Sequence, residues 1–134
     1  MELLSNLSGE KGVGIDIQLL SELNIENDTF LERNFTPSEL AEAEGSLSKL
    51  CEKWSAKEAT IKAVSSFSLD TEQVWNQGVG APLIGIEILQ DVNGNFKVTF
   101  YGDAKDAVAK AGVTHVSVSI QSNTEYAMAI ATAK

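Results

Sequence analysis

The stretch Gly12-Val13-Gly14-Ile15-Asp16-Ile17-Gln18 alternates, with Val13, Ile15 and Ile17 on one side and Gly14, Asp16 and Gln18 on the other. A period of two marks a β-strand. Downstream the period changes. Leu47, Leu50, Cys51, Trp54 and Ile61 fall on one arc about 100° wide when each residue turns ~100°, which marks a helix from about Ser46 to Ser66. Before it, Thr36-Pro37-Ser38-Glu39 predicts a helix start, with a capping threonine, a proline at the first helical position and a capping-box glutamate. Gly45 breaks or kinks that helix. Ser68 to Pro82 reads as a long loop. Leu83 to Gln90 and Phe96 to Tyr101 read as strands joined through Asn93-Gly94, a hairpin signal. A short helix, Asp103 to Ala111, stops at Gly112, and His115 to Gln121 with Glu125 to Ala131 form a second hairpin. The expected fold is α+β, a mostly antiparallel sheet packed against one long helix plus shorter helices. Residues 1–11 read as a loose lead-in and residues 12–134 as one domain.

With 134 residues, the chain can bury roughly two-thirds of its unfolded surface, enough for a core without staples. Its 10 Lys+Arg against 19 Asp+Glu give a net charge of −9. A chain this acidic does not attract nucleic acid or anionic lipid through its overall field. An anionic ligand therefore needs a local basic cluster or a metal ion. The single cysteine, Cys51, fits a reducing compartment. No apolar run approaches the ~20 residues of a membrane span, and MELLSNLSGEKG shows no secretory leader. The expected setting is cytoplasmic.

Two carboxylates stand in unusual places. Glu58 lies near the middle of the apolar arc of the long helix, with Lys62 at its edge. A carboxylate turned inward needs a positive partner, a metal or a proton. The plainer reading makes Ser55-Ala56-Lys57-Glu58 a second capping box, which requires a helix start at Ser55. Asp16 lies mid-strand, where aspartate is depleted, beside Gly14, which permits close approach of backbone or ligand. Its plainer reading is a solvated edge aspartate. Together Asp16 and Glu58 suit a hard divalent cation, since Mg²⁺ commonly takes one or two protein carboxylates. His115, Glu42 and Glu44 read as exposed residues, Cys51 as a small hydrophobe, and Trp75 as packing the long loop onto the domain.

Gly14-Ile15-Asp16-Ile17, then Trp54-Ser55-Ala56-Lys57-Glu58-Ala59 with Lys62 four residues past the glutamate, resembles the two-part signature of 4′-phosphopantetheinyl transferases. Glu32 to Glu39 and the ending Val116-Ser117-Val118-Ser119-Ile120 resemble that family too, in particular the transferase domain at the C-terminal end of the fungal fatty acid synthase α subunit. The resemblance implies transfer of the phosphopantetheine arm of coenzyme A to a serine of an acyl carrier protein. It implies Asp16 and Glu58 as Mg²⁺ ligands with the Ile17 backbone, and Glu58 and Lys62 as catalytic groups. Coenzyme A would lie along Asp16, Ile17, Gln18, Lys57, Lys62, Ser65, Ser66, Gly80, Pro82, Ile120, Gln121 and Ser122, with Arg33 on the carrier-protein side.

Where many members have Ser-Ile-Ser-His, this chain has Ser119-Ile120-Gln121-Ser122, so Ser122 replaces the family histidine. Gln18 stands where larger members carry a second acid. A single module supplies about half of the wall that pseudo-duplicated members provide, which implies a homotrimer with coenzyme A between protomers. Two other readings remain: an interaction or assembly domain that keeps the fold without turnover, and a small-ligand-binding domain with Asp16 and Glu58 in structural ion pairs.

Overall fold

A computed structural model describes residues 11–67 and 83–134. The first strand, β1 (Gly12–Leu19), leads through a short 3-10 turn, Leu20–Glu22, to helices α1 (Asp28–Asn34), α2 (Pro37–Ala43) and α3 (Leu47–Phe67). A second 3-10 turn, Leu83–Gly85, opens the hairpin β2 (Ile86–Gln90) and β3 (Phe96–Phe100). Helix α4 (Gly102–Lys110) and the hairpin β4 (Val116–Ser122) and β5 (Tyr126–Ala133) complete the chain. The described strands form two antiparallel sheets, one ordered β1-β5-β4 and the other β2-β3. The α+β expectation holds.

Helix α2 starts as the sequence predicts. The Thr36 side chain accepts from the Glu39 amide while the Glu39 carboxylate accepts from the Thr36 amide, a complete capping box. Helix α2 ends on Glu44 in a left-handed conformation, and α3 begins two residues past Gly45. Ser46 accepts from the Lys49 amide at the start of α3. Ser55 therefore lies mid-helix, where its hydroxyl donates to the Glu52 carbonyl. That removes the capping box at Ser55. Helix α1, capped by Asn27 on the Phe30 amide, is an element that the sequence pattern did not predict.

The first strand alternates as expected, yet its buried side is unusual. Gly12 and Gly14 are buried, while Val13, Ile15, Ile17 and Leu19 are 51%, 52%, 59% and 43% exposed. The glycines admit α3. A Cβ on Gly14 would lie 2.1 Å from the Ala59 carbonyl oxygen, and one on Gly12 1.9 Å from that of Ala63. Beside them β5 presents the buried stripe Ala127, Ala129, Ala131 and Ala133. Small residues on both strands let a helix backbone approach far closer than the ~10 Å typical between stacked layers. Helix α3 thus lies against β1 and β5, with Lys53 and Lys57 among its buried residues.

The strand expected from Leu83 begins only at Ile86. Lys57 is the physical reason, because its ammonium donates to both the Leu83 and Ile86 carbonyls and holds the turn between them. The remaining outward groups of β2 are also taken by side chains. The Glu39 carboxylate accepts from the Ile88 amide at 2.9 Å. Lys53 donates to the Ile88 carbonyl at 2.8 Å, and Glu42 accepts from the Gln90 amide at 3.1 Å. Two glutamates from α2 and two lysines from α3 replace the neighbouring strand that this edge lacks. Glu42, read from sequence as solvated, belongs to this set.

Candidate functional site

The antiparallel course of α3 over β1 builds the site. Moving four residues along a helix covers about 6 Å, close to the ~6.8 Å of two strand residues, so a helical row keeps step with the strand edge. Ser66 engages both the amide and the carbonyl of Val13. One turn back, Lys62 donates to the Ile15 carbonyl at 3.1 Å and to the Asp16 carboxylate at 3.1 Å. One turn further back comes Glu58. By the same alternation, the Ile17 carbonyl follows Val13 and Ile15 along the edge turned away from β5. Gly14, which draws α3 onto β1, is what brings Asp16 and Glu58 into one electrostatic neighbourhood.

Both carboxylates are held above their usual range. Burial is the main cause for Asp16, offset by the hydrogen bond and charge of Lys62. For Glu58, burial comes first and the charge of Asp16 adds to it, while Lys62 opposes both. Two desolvated acids, one of them raised by the charge of the other, lack positive charge. Lys62 alone, with a side chain 53% exposed, balances them incompletely. Among the described residues no group of three or more His, Cys, Asp or Glu side chains could hold a metal. A pair of carboxylates with a backbone carbonyl nearby fits Mg²⁺, which keeps much of its shell as water and substrate oxygen.

Lys57 departs from the expectation that it lines the coenzyme A side. Its side chain has no exposed surface and pairs at 2.8 Å with the equally buried Glu39. Burial pulls its ammonium below the usual lysine range, while the charge of Glu39 opposes this. Its carboxylate partner, known from sequence only as a cap, is the residue the pattern missed. Nothing local signals the pair, because 18 residues separate the two.

The other expected site residues separate into two groups. Gln18 lies beyond Asp16 on the same face of β1, and Ser65 is half-buried on α3. Ile120, Gln121 and Ser122 sit on β4, on the far side of β5, with Ala129 between Asp16 and Ile120 and Ala127 between Gln18 and Ser122. There Ser122 donates to the Glu52 carboxylate at 2.8 Å. Arg33 is in the last turn of α1. Gly80, Pro82, Trp75 and the expected long loop lie outside the described residues.

Cys51 is buried, and desolvation pushes its thiol up to about 11, the state of an inert packing residue. His115 is exposed and shares a hydrogen bond with Ser117. No helix among the described residues is long and apolar enough to cross a membrane.

Comparison with known proteins meets the same residues. The fatty acid synthase subunit alpha of Candida albicans is 46% identical over 135 residues, covering 96% of this chain and 7% of that protein. The subunit of the same name from Saccharomyces cerevisiae is 43% identical over 138 residues, covering 97% of this chain and 7% of its own length. This chain therefore spans a small part of those relatives. Among solved structures, the holo-ACP synthase of Plasmodium yoelii superposes with a TM-score of 0.73 at 26% identity, covering 91% of this chain and 92% of that one. A Bacillus anthracis holo-(acyl-carrier-protein) synthase, solved in complex with CoA (3′,5′-ADP), gives 0.65 at 25% identity, with 91% and 94% covered. The match to the 4′-phosphopantetheinyl transferase superfamily runs over residues 12–131, taking in both carboxylates, the glycines that bring them together and most of the β4–β5 hairpin. The chain belongs to that superfamily.

Proposed function

We propose that this chain transfers the 4′-phosphopantetheine arm of coenzyme A to a serine of an acyl carrier protein, in a Mg²⁺-dependent step that serves fatty acid synthesis. The observation that carries this reading is the placing of Asp16 and Glu58, both held above their usual range, beside Lys62. Asp16, Glu58 and the Ile17 carbonyl would hold the metal, which supplies neutralising charge to the pyrophosphate when bound. Lys62 adds a second positive charge for the phosphates. The serine oxygen bonds to the phosphorus carrying the pantetheine arm, and the bond from that phosphorus to the bridging oxygen breaks. Adenosine 3′,5′-bisphosphate leaves with the bond electrons. Glu58 accepts the serine proton through a water molecule, acting as the general base.

The acceptor is a carrier protein of the same polypeptide or complex, in keeping with the fatty acid synthase relatives. Arg33 would face it. We also assign a homotrimer. Its support is the exposed apolar face of Val13, Ile15, Ile17, Leu19, Tyr126 and Ile130 on the sheet side opposite α3, since such patches mark interaction surfaces. A second support is the separation of the two residue groups. Strand β5 lies between them and α3 packs over it, which favours a substrate that takes them from two copies. We place the activity in the cytoplasm, which suits the buried, unpaired Cys51.

Incubation with coenzyme A, Mg²⁺ and an apo carrier protein, read by intact mass, tests the proposal. The expected result is gain of one phosphopantetheine by the carrier protein, lost on chelation. Binding of coenzyme A without conversion would favour an assembly domain that keeps the fold. Absence of both would leave Asp16 and Lys62 as a structural ion pair.

A further inference from the structure

The Lys62 ammonium sits where positive charge is needed most. It donates at 3.1 Å to both the Ile15 carbonyl and the Asp16 carboxylate, and its charge also acts on Glu58. An ammonium has three donors and no acceptor, so carboxylate and strand-edge carbonyl together give it the environment that suits a small cation. The surroundings of the two partners differ. The Asp16 side chain is 15% exposed and fixed mid-strand, whereas that of Lys62 is 53% exposed on a flexible stem. A half-exposed ion pair is held loosely, and the lysine end is the one able to leave.

We infer that Lys62 is the resident counter-ion of the Asp16–Glu58 pair and gives up that position when a divalent cation enters. The released ammonium then turns to the anionic substrate. Displacement by the metal frees the ammonium for a phosphate group, so metal entry and phosphate binding become coupled, each favouring the other by the same factor. This rests on the metal site assigned under the proposed function and adds an order of events to it. The other lysines of this part of α3 cannot serve in its place, because Lys53 and Lys57 are committed to the β2 edge.

Two measurements without turnover test the displacement. The first is Mn²⁺ affinity, read from the electron paramagnetic resonance signal of free Mn²⁺, for the unaltered chain, Lys62→Gln and Lys105→Gln. Lys105 is exposed on α4, so its replacement removes the same charge at another place. Lys62→Gln should bind Mn²⁺ about fivefold tighter, as expected when a competitor worth roughly 1 kcal/mol is removed, with Lys105→Gln within about twofold of the parent. The second is acetylation of the unaltered protein by a limiting reagent, read by peptide mass. Adding Mg²⁺ should speed labelling of Lys62 and leave Lys105 unchanged. Equal tightening by both variants, weaker binding by Lys62→Gln, or labelling of Lys62 indifferent to Mg²⁺ would overturn the displacement while leaving the metal site intact. Failure of the parent and both variants to bind Mn²⁺ would overturn the metal site itself, and the displacement with it.

Discussion

Lys57 and Glu39 meet at 2.8 Å with neither side chain exposed to solvent. Lys57 stands next in sequence to Glu58, about 100° round the helix, so the residue beside a candidate metal ligand is fastened to α2 and the start of β2. The pair also satisfies backbone. Lys57 donates to the Leu83 and Ile86 carbonyls, and Glu39 accepts from the amides of Thr36 and Ile88.

Lys57→Met should therefore cost about 3–5 kcal/mol, the usual consequence of leaving one buried charge without its partner. Replacing both residues, as Glu39→Leu with Lys57→Met, often restores stability for an isolated buried pair. Here it should not, because the β2 edge would keep unpaired amide and carbonyl groups. Urea unfolding of the single and double variants decides. A double variant as stable as the parent would show that the edge finds other partners.

Glu58→Gln should separate stability from function. Asp16 and Glu58 both titrate above the ordinary values of 3.8 and 4.5. Above those values the unfolded chain releases these protons first, so the folded chain binds more of them. Metal-free stability then falls as pH rises through that window. Glu58→Gln removes its share of the fall. In chelator at pH 7 the variant should have a higher urea midpoint than the parent, whereas near pH 3 the two should converge. Transfer should drop by about 100-fold or more. A variant less stable than the parent at pH 7 would contradict the raised value of Glu58.

Gly14→Ala should break the contact on which the site depends. Its Cβ would fall 2.1 Å from the Ala59 carbonyl oxygen and 2.6 Å from the Ala63 amide nitrogen, and helix backbone cannot rotate away as a side chain can. The expected loss is about 3 kcal/mol, at the upper end for overpacking, with little transfer left. Thermal unfolding and a transfer assay on the same sample check it.

Ile17→Glu should yield monomers. Ile17 is 59% exposed and faces Met128 across the β1–β5 ladder, so a charge there meets apolar surface only if copies associate. Light scattering across a dilution series should give three chain masses for the parent and one for the variant. A parent that is monomeric and active would remove the trimer.

The alternation of residues 12–18, the capping box at Thr36 and both hairpins were legible because each is a local signal. Which face of β1 turns inward was not legible. Valine and isoleucine ordinarily point to the core, but here the inner face needs the smallest side chains so that α3 can approach, and the apolar ones are left outside. Lys53 and Lys57 escaped for another reason. A hydrophobic arc treats lysines as solvent-facing, while their partners on α2 and β2 lie 11 to 35 residues away in sequence. Helix α1 escaped because seven residues carry too little periodicity to stand out. The carboxylates of the candidate site were visible through their misfit with the pattern around them.

The side-chain covering of the β2 edge also bears on how the protein folds. A two-stranded hairpin is marginal in water by itself, and this one completes its hydrogen bonding only when α2 and α3 have both arrived. None of the three can finish first without leaving buried charge or backbone unpaired. The hairpin and the two helices should therefore open as one cooperative unit, with the Ile88 amide, bonded to Glu39, exchanging its hydrogen only when the ion pair and the helices let go together.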